Sequence, residues 1–143
     1  MEKIKILIVD DEYNISIVLK EALLKKFSEK IEVDITEKLP DTFDEAVDFL
    51  THETYQIVLL DGLLSGDNDK SYTRFGYNLI PVIRRSNSLL AKIIMISTDE
   101  EMNKKGLELG ADCCISKRKL FLYGNKIDYD FINSLDLDFE VKK

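Results

Sequence analysis

Short apolar runs, each ending in polar residues, constrain this chain more than any other feature. Ile4 to Val9, Ile57 to Leu60 and Ile93 to Ile96 are each four to six residues long, and Asp10, Asp61 and Ser97 follow them directly. Runs of that length bounded by polar or glycine residues read as strands buried on both faces. Between them lie segments of helical period. Ile15, Val18, Leu19, Ala22 and Leu23 follow the i, i+3, i+4, i+7, i+8 template, and Asn14 is placed to cap that helix. Thr42 and Glu45 have the spacing of a capping box for a second helix, whose buried face is Phe43, Ala46, Val47 and Leu50. Strand and helix in alternation predict an α/β fold with a parallel sheet.

The remaining segments fit the same series. Ile31 to Ile35 alternates apolar and acidic residues, which suits a half-exposed strand at the sheet edge. The polar stretch Ser65 to Arg74 reads as irregular. Tyr77 to Arg85 reads as a helix with Pro81 in its first turn or bending it. Asp99 to Leu109 reads as a charged helix closed by Gly110, and Ala111 to Ser116 as the last strand. Farther on, Tyr129, Ile132 and Leu135 recur at helical spacing and would line one face of a terminal helix.

At 143 residues the chain has the size of one domain. The core spans about 3 to 120, with 121 to 143 as a terminal helix and tail. No apolar run reaches the roughly 20 residues of a membrane span, and the N-terminus lacks the shape of a signal peptide, so a cytoplasmic protein is expected. A formal charge of −7 argues against direct nucleic-acid binding, since the field would repel phosphates and neither Arg84-Arg85 nor Lys117-Arg118-Lys119 is a long basic patch. Cys113 and Cys114 are adjacent, which does not suit a zinc site or an ordinary disulfide, and they read as reduced core thiols.

The chemistry concentrates at the strand ends. Asp10-Asp11, Asp61, Ser97-Thr98 and Lys117 each terminate a different strand at its carboxyl end, where open parallel sheets bind ligands. With strand order 2-1-3-4-5, the first, third and fourth strands are neighbours about 4.8 Å apart, so Asp10, Asp11, Asp61 and Ser97 converge. The stem of Lys117 spans the extra strand. Three crowded carboxylates favour a hard divalent cation, and oxygen ligands with room for waters and a phosphate favour Mg²⁺. Asp61 is central enough to attack phosphorus and form an acyl phosphate, with Ser97 and Lys117 facing the phosphoryl oxygens.

The blocks ILIVDDE, IVLLDGLLSG, IIMIST and GADCCISK resemble the four motif blocks of response-regulator receiver domains over about residues 3 to 120. That resemblance implies a flavodoxin-like, three-layer α/β/α fold with a doubly wound five-stranded parallel sheet. It implies a stand-alone switch in a two-component phosphorelay, taking a phosphoryl group from a phosphohistidine on a sensor histidine kinase or phosphotransfer protein. It further implies that Asp61 is the phospho-acceptor, and that Asp10, Asp11, Asp61 and the backbone carbonyl of Leu63 hold Mg²⁺. Ser97, with Thr98 as its neighbour and substitute, matches the switch hydroxyl, and Lys117 the phosphoryl-contacting lysine. The output is then a downstream protein target.

Four positions depart from the family pattern: Ser65 and Arg118 replace prolines, Cys114 replaces the aromatic switch residue, and the loop to Gly76 is long. Two other readings compete. A pseudo-receiver that binds protein without phosphorylation would have no use for the full acid, hydroxyl and lysine set. A haloacid-dehalogenase-type phosphohydrolase would need an acid where Leu63 stands. His52, near the end of the second helix pattern, reads as an exposed or helix-end residue rather than a ligand.

Overall fold

The computed structural model describes residues 3–37, 41–65, 73–122 and 126–127. Strands β1 (Ile4–Val9), β2 (Ile31–Ile35), β3 (Ile57–Asp61), β6 (Lys92–Ser97) and β7 (Cys113–Ser116) form one parallel sheet in the order β2-β1-β3-β6-β7. Counted along the sheet strands alone, this is 2-1-3-4-5, as the sequence predicts. Two antiparallel ribbons lie outside it: β4 (Leu63–Ser65) with β5 (Thr73–Phe75), and β8 (Phe121–Leu122) with β9 (Lys126–Ile127).

Successive strand residues point to opposite faces, and both faces are covered. On one face Ile6, Ile8, Leu59, Ile94 and Ile96 pack against Leu19, Ala22 and Leu23 of helix α1 (Tyr13–Phe27) and against Leu120 of the short helix α5 (Lys117–Leu120). On the other, Leu7, Val9, Val58, Leu60 and Ile93 meet Ala46 and Leu50 of α2 (Thr42–His52) and Leu79, Ile80 and Ile83 of α3 (Leu79–Arg85). Helix α4 (Glu100–Glu108) joins this second face, where Gly106 lies so close to Met95 that an added Cβ would sit 2.4 Å from its Cγ. The molecule is therefore a three-layer α/β/α fold of flavodoxin-like type.

Several local expectations need correction. Helix α1 begins at Tyr13 behind Glu12, which makes no side-chain cap, so Asn14 is not the cap. The cap of α2 is Asp41, one residue earlier than expected, because its carboxylate accepts the Asp44 N–H at 3.0 Å. Thr42 is instead fully buried with its hydroxyl unpartnered, and Glu45 accepts the Glu37 N–H at 2.7 Å. Ser65 and Thr73-Arg74 are ribbon strands, not irregular chain. Cys113 and Cys114 are free, but Cys114 is exposed and is no core thiol. Pro81 occupies the first turn of α3, where its missing N–H has no helical partner to lose. Asp99 caps α4 by accepting the Glu101 N–H at 2.9 Å, and Gly110 adopts φ +115° just beyond that helix. The terminal helix expected around Tyr129, Ile132 and Leu135 lies outside the described residues.

Candidate functional site

The ends of β1, β3, β6 and β7 meet at the carboxyl edge of the sheet. Asp10 follows β1 and Asp61 closes β3; both are buried, at 3% and 7% exposure, whereas Asp11 is half-buried. One carboxylate oxygen from each of Asp10, Asp11 and Asp61 lies within 4.8 Å of the others. Lys117, at the start of α5, crosses the sheet edge to bring Nζ 2.8 Å from Asp10 Oδ2 and 3.3 Å from Asp61 Oδ2. A third acid, Glu12, stands 3.3 Å from the same ammonium.

The backbone fixes the remaining oxygens. Asp10 Oδ1 accepts the Glu12 N–H at 2.8 Å, and Asp61 Oδ1 accepts the Gly62 N–H at 2.8 Å. In each acid one oxygen is thus held by local backbone and the other faces Lys117. Burial, followed by the charge of neighbouring Asp10, holds the Asp61 carboxyl well above its ordinary value despite Lys117. Burial likewise raises Asp10 against the opposing pull of Lys117. For Lys117 burial acts downward, but Asp10 and Asp61 outweigh it, so the ammonium stays charged.

Ser97 lies beside the acid group, since Asp61 pairs with Ile96 and Ser97 is the next residue along. Its hydroxyl is buried and accepts the Asp99 N–H at 3.1 Å. Thr98 is exposed. A Cβ on Gly62 would lie 2.8 Å from Ser97 Oγ and 2.7 Å from Met102 Cβ, so only glycine lets the acid turn approach the hydroxyl this closely. Leu63, 44% exposed, opens the β4-β5 ribbon and pairs with Phe75. The ribbon returns at Gly76, whose N–H donates to Gly62 O at 2.8 Å; a Cβ there would stand 1.7 Å from Asp61 O. His52 is exposed at the end of α2, remote in the fold from these strand ends, with Nδ1 2.9 Å from Asp48 O.

Three contributors escaped the sequence reading. Glu12, the last residue of the ILIVDDE block, carries no sequence signal as a Lys117 partner. Asn103 on α4 is buried and donates to Ser97 O and Ile115 O, both at 3.3 Å, tying β6 to β7. Thr36, just past β2, bonds the backbone of Asp10. For Thr36 a signal was present, because it is a polar residue at a strand's carboxyl end like the others.

The acid group has the chemistry of a hard-cation site: three anionic oxygen donors lie close together, two of them on buried residues. Such a doubly wound domain places acids, a hydroxyl and a lysine at the carboxyl edge of its sheet, where folds of this kind bind their ligands. The family model for the response regulator receiver domain matches residues 6–120. The chain belongs to that family, and its role is phosphorylation-based signalling of the two-component type.

Solved structures agree on the fold. The signal receiver domain of a DNA-binding response regulator (merR) from Colwellia psychrerythraea 34H superposes with a TM-score of 0.69 at 17% identity, covering 91% of this chain and 92% of that one. The signal receiver domain of a LuxO repressor protein from Vibrio parahaemolyticus gives 0.65 at 17% identity over 92% and 85%. A response regulator from Burkholderia pseudomallei, solved with a phosphorylated aspartic acid, calcium ion and citrate, gives 0.56 at 17% over 82% and 61%. No curated protein matches the chain at a significant level. Receiver domains bind a divalent metal at an acidic pocket and work with histidine kinases and output domains; among the described residues no helix is long and apolar enough to cross a membrane.

Proposed function

We propose that this receiver domain accepts a phosphoryl group on Asp61 from a phosphohistidine, with Mg²⁺ held by Asp10, Asp11, Asp61 and the carbonyl of Leu63. The observation that carries this reading is the meeting of three carboxylates within 4.8 Å, two of which, Asp10 and Asp61, are bridged by Lys117 at 2.8 and 3.3 Å. When bound, Mg²⁺ supplies positive charge to the acids and to the phosphoryl oxygens.

The remaining chemistry belongs to the chain's own groups. Asp61 Oδ2, the oxygen not engaged by Gly62, forms the new O–P bond as the donor's N–P bond breaks. The electron pair stays on the imidazole nitrogen, which then takes a proton from solvent. Lys117 exchanges its Asp10 and Asp61 contacts for the phosphoryl oxygens, and the Ser97 hydroxyl, just ahead of α4, donates to one of them. Thr98, exposed beside it, would serve only if the backbone turned. Output passes to a downstream protein partner, without direct nucleic-acid contact, in the cytoplasm.

Incubation with acetyl phosphate and Mg²⁺ tests the acceptor. Intact-mass spectrometry should show one added phosphoryl group that requires Mg²⁺ and is absent from Asp61→Asn, whose amide cannot form an acyl phosphate. Undiminished phosphorylation of Asp61→Asn would overturn the assignment, and unmodified wild-type protein would favour a phosphorylation-independent binding module.

A further inference from the structure

We infer that Thr36 is a positioning residue for the cation site: its buried hydroxyl clamps the Asp10 peptide and thereby aims the Asp10 carboxylate at the metal. The inference rests on the cation site proposed above and adds to it a residue from a strand that contributes no ligand.

Asp10 sits where the sheet stops supporting it. The register of β1 with β2 ends at Ile8 and Ile35, and that of β1 with β3 ends at Val9 and Leu60. Asp10 is the next residue, still buried, so its peptide must be satisfied by something other than the regular ladders. Thr36 is the residue after β2. Its N–H donates to Ile8 O at 3.1 Å, continuing the ladder by one bond and fixing where its side chain begins. From there its Oγ1 accepts the Asp10 N–H at 3.2 Å and donates to Asp10 O at 3.1 Å. One side chain takes the place of a missing strand residue.

The side chain suits that task. Thr36 is fully buried, and its β-branch restricts χ1, so the hydroxyl has little freedom to leave. Beyond the clamped peptide, Asp10 Oδ1 is tied to the Glu12 N–H, which leaves Oδ2 facing Lys117 at 2.8 Å. Thr36 therefore fixes the base of the Asp10 side chain, and the Glu12 peptide fixes its rotation. Serine would supply the same two bonds, whereas valine has threonine's shape without them.

The protein contains its own control. Thr42 is equally buried, but its hydroxyl has no hydrogen-bond partner. Loss of its hydroxyl should leave the metal site untouched.

The test is calorimetric titration of the metal-free protein with Mg²⁺, together with amide hydrogen exchange at Asp10 followed by NMR, both well below the unfolding temperature. Thr36→Val should weaken Mg²⁺ binding by on the order of tenfold, as loss of a group that orients a metal ligand does. It should also speed Asp10 amide exchange by about tenfold, through loss of a buried hydrogen bond. Thr36→Ser should restore both, and Thr42→Val should change neither. Should Thr36→Val not fold, Thr36→Ala carries the same expectation without added bulk. The inference fails if the hydroxyl-free variants lose only thermal stability and bind Mg²⁺ as the wild type does, or if serine fails to rescue. Absence of Mg²⁺ binding by the wild-type protein would instead bring down the cation site itself.

Discussion

The two ends of the sheet use the same residue types to opposite effect. At the amino end Arg84 donates to the carbonyls of Leu89, Ala91 and Gly110 at 2.9, 2.7 and 3.1 Å and pairs with Asp112 at 3.3 Å. Asp112 in turn accepts the Ile93 N–H at 2.7 Å, and buried Tyr55 donates its hydroxyl to Asp34 at 2.6 Å. Charges and polar groups there are matched by partners. At the carboxyl end Asp10, Glu12 and Asp61 converge on the ammonium of Lys117, and Asp11 crowds against Asp10 and Asp61. The matched end serves stability; the acid-rich end crowds negative charge that a bound cation can relieve.

The largest test of this contrast removes the Lys117 ammonium from the acid-rich end. Lys117→Ala should leave Mg²⁺ affinity unchanged or tighter, because a competing positive charge is gone, while slowing phosphorylation by acetyl phosphate by on the order of 100-fold. Normal phosphorylation would remove Lys117 from the site. At the matched end the corresponding change should act only on stability. Arg84→Ala leaves three carbonyls and Asp112 without their donor and should cost about 2 kcal/mol in denaturant unfolding, with Mg²⁺ binding unaltered. If it altered metal affinity, the two ends would not be independent.

A smaller effect follows from pH. Burial and crowding push the Asp61 carboxyl up to about 8 and that of Asp10 to about 6, from 3.8. Across that window the folded site keeps protons that the unfolded chain has released, so stability must fall as pH rises. In metal-free buffer the loss should be about 1 to 2 kcal/mol between roughly pH 6 and pH 8, and Asp61→Asn or saturating Mg²⁺ should flatten it. A pH-independent unfolding curve would show that the acids are better compensated than the geometry implies.

The smallest expected effect concerns the lifetime of the acyl phosphate. Leu63 borders the acceptor and offers no side-chain hydrogen bond to an attacking water, whereas exposed Asp99 is engaged with the Glu101 N–H. Leu63→Asn should speed decay of the phosphoprotein about threefold, a difference of well under 1.4 kcal/mol in the barrier. Asp99→Ala should leave decay nearly unchanged, and a collapse of fast wild-type decay in that variant would assign the water to Asp99 instead.

The sheet order and the convergence of Asp10, Asp11, Asp61, Ser97 and Lys117 were legible because apolar runs and their terminal polar residues are local signals whose meaning topology preserves. Capping was less legible. Asp41 and Thr42 are both good caps by type, and only tertiary packing decides that Thr42 turns into the core. The ribbon Leu63–Ser65 with Thr73–Phe75 was missed because three-residue strands in a polar stretch carry too little pattern. Asn103 was missed for a different reason: its work is hydrogen bonding to the backbone of two strands, which no spacing in the sequence records, whereas Thr36 carried the same strand-end signal as the acids.

The close approach of Gly76 to Asp61 has a consequence for how this protein can change over generations. The ribbon returns to one point against the acceptor's own carbonyl, so a change at position 76 is felt directly at the acid turn. Any side chain there would be driven into Asp61 O, and no rearrangement of the side chain alone removes a clash that begins at Cβ. Strict retention of glycine at this end point should therefore mark the descendants of this chain.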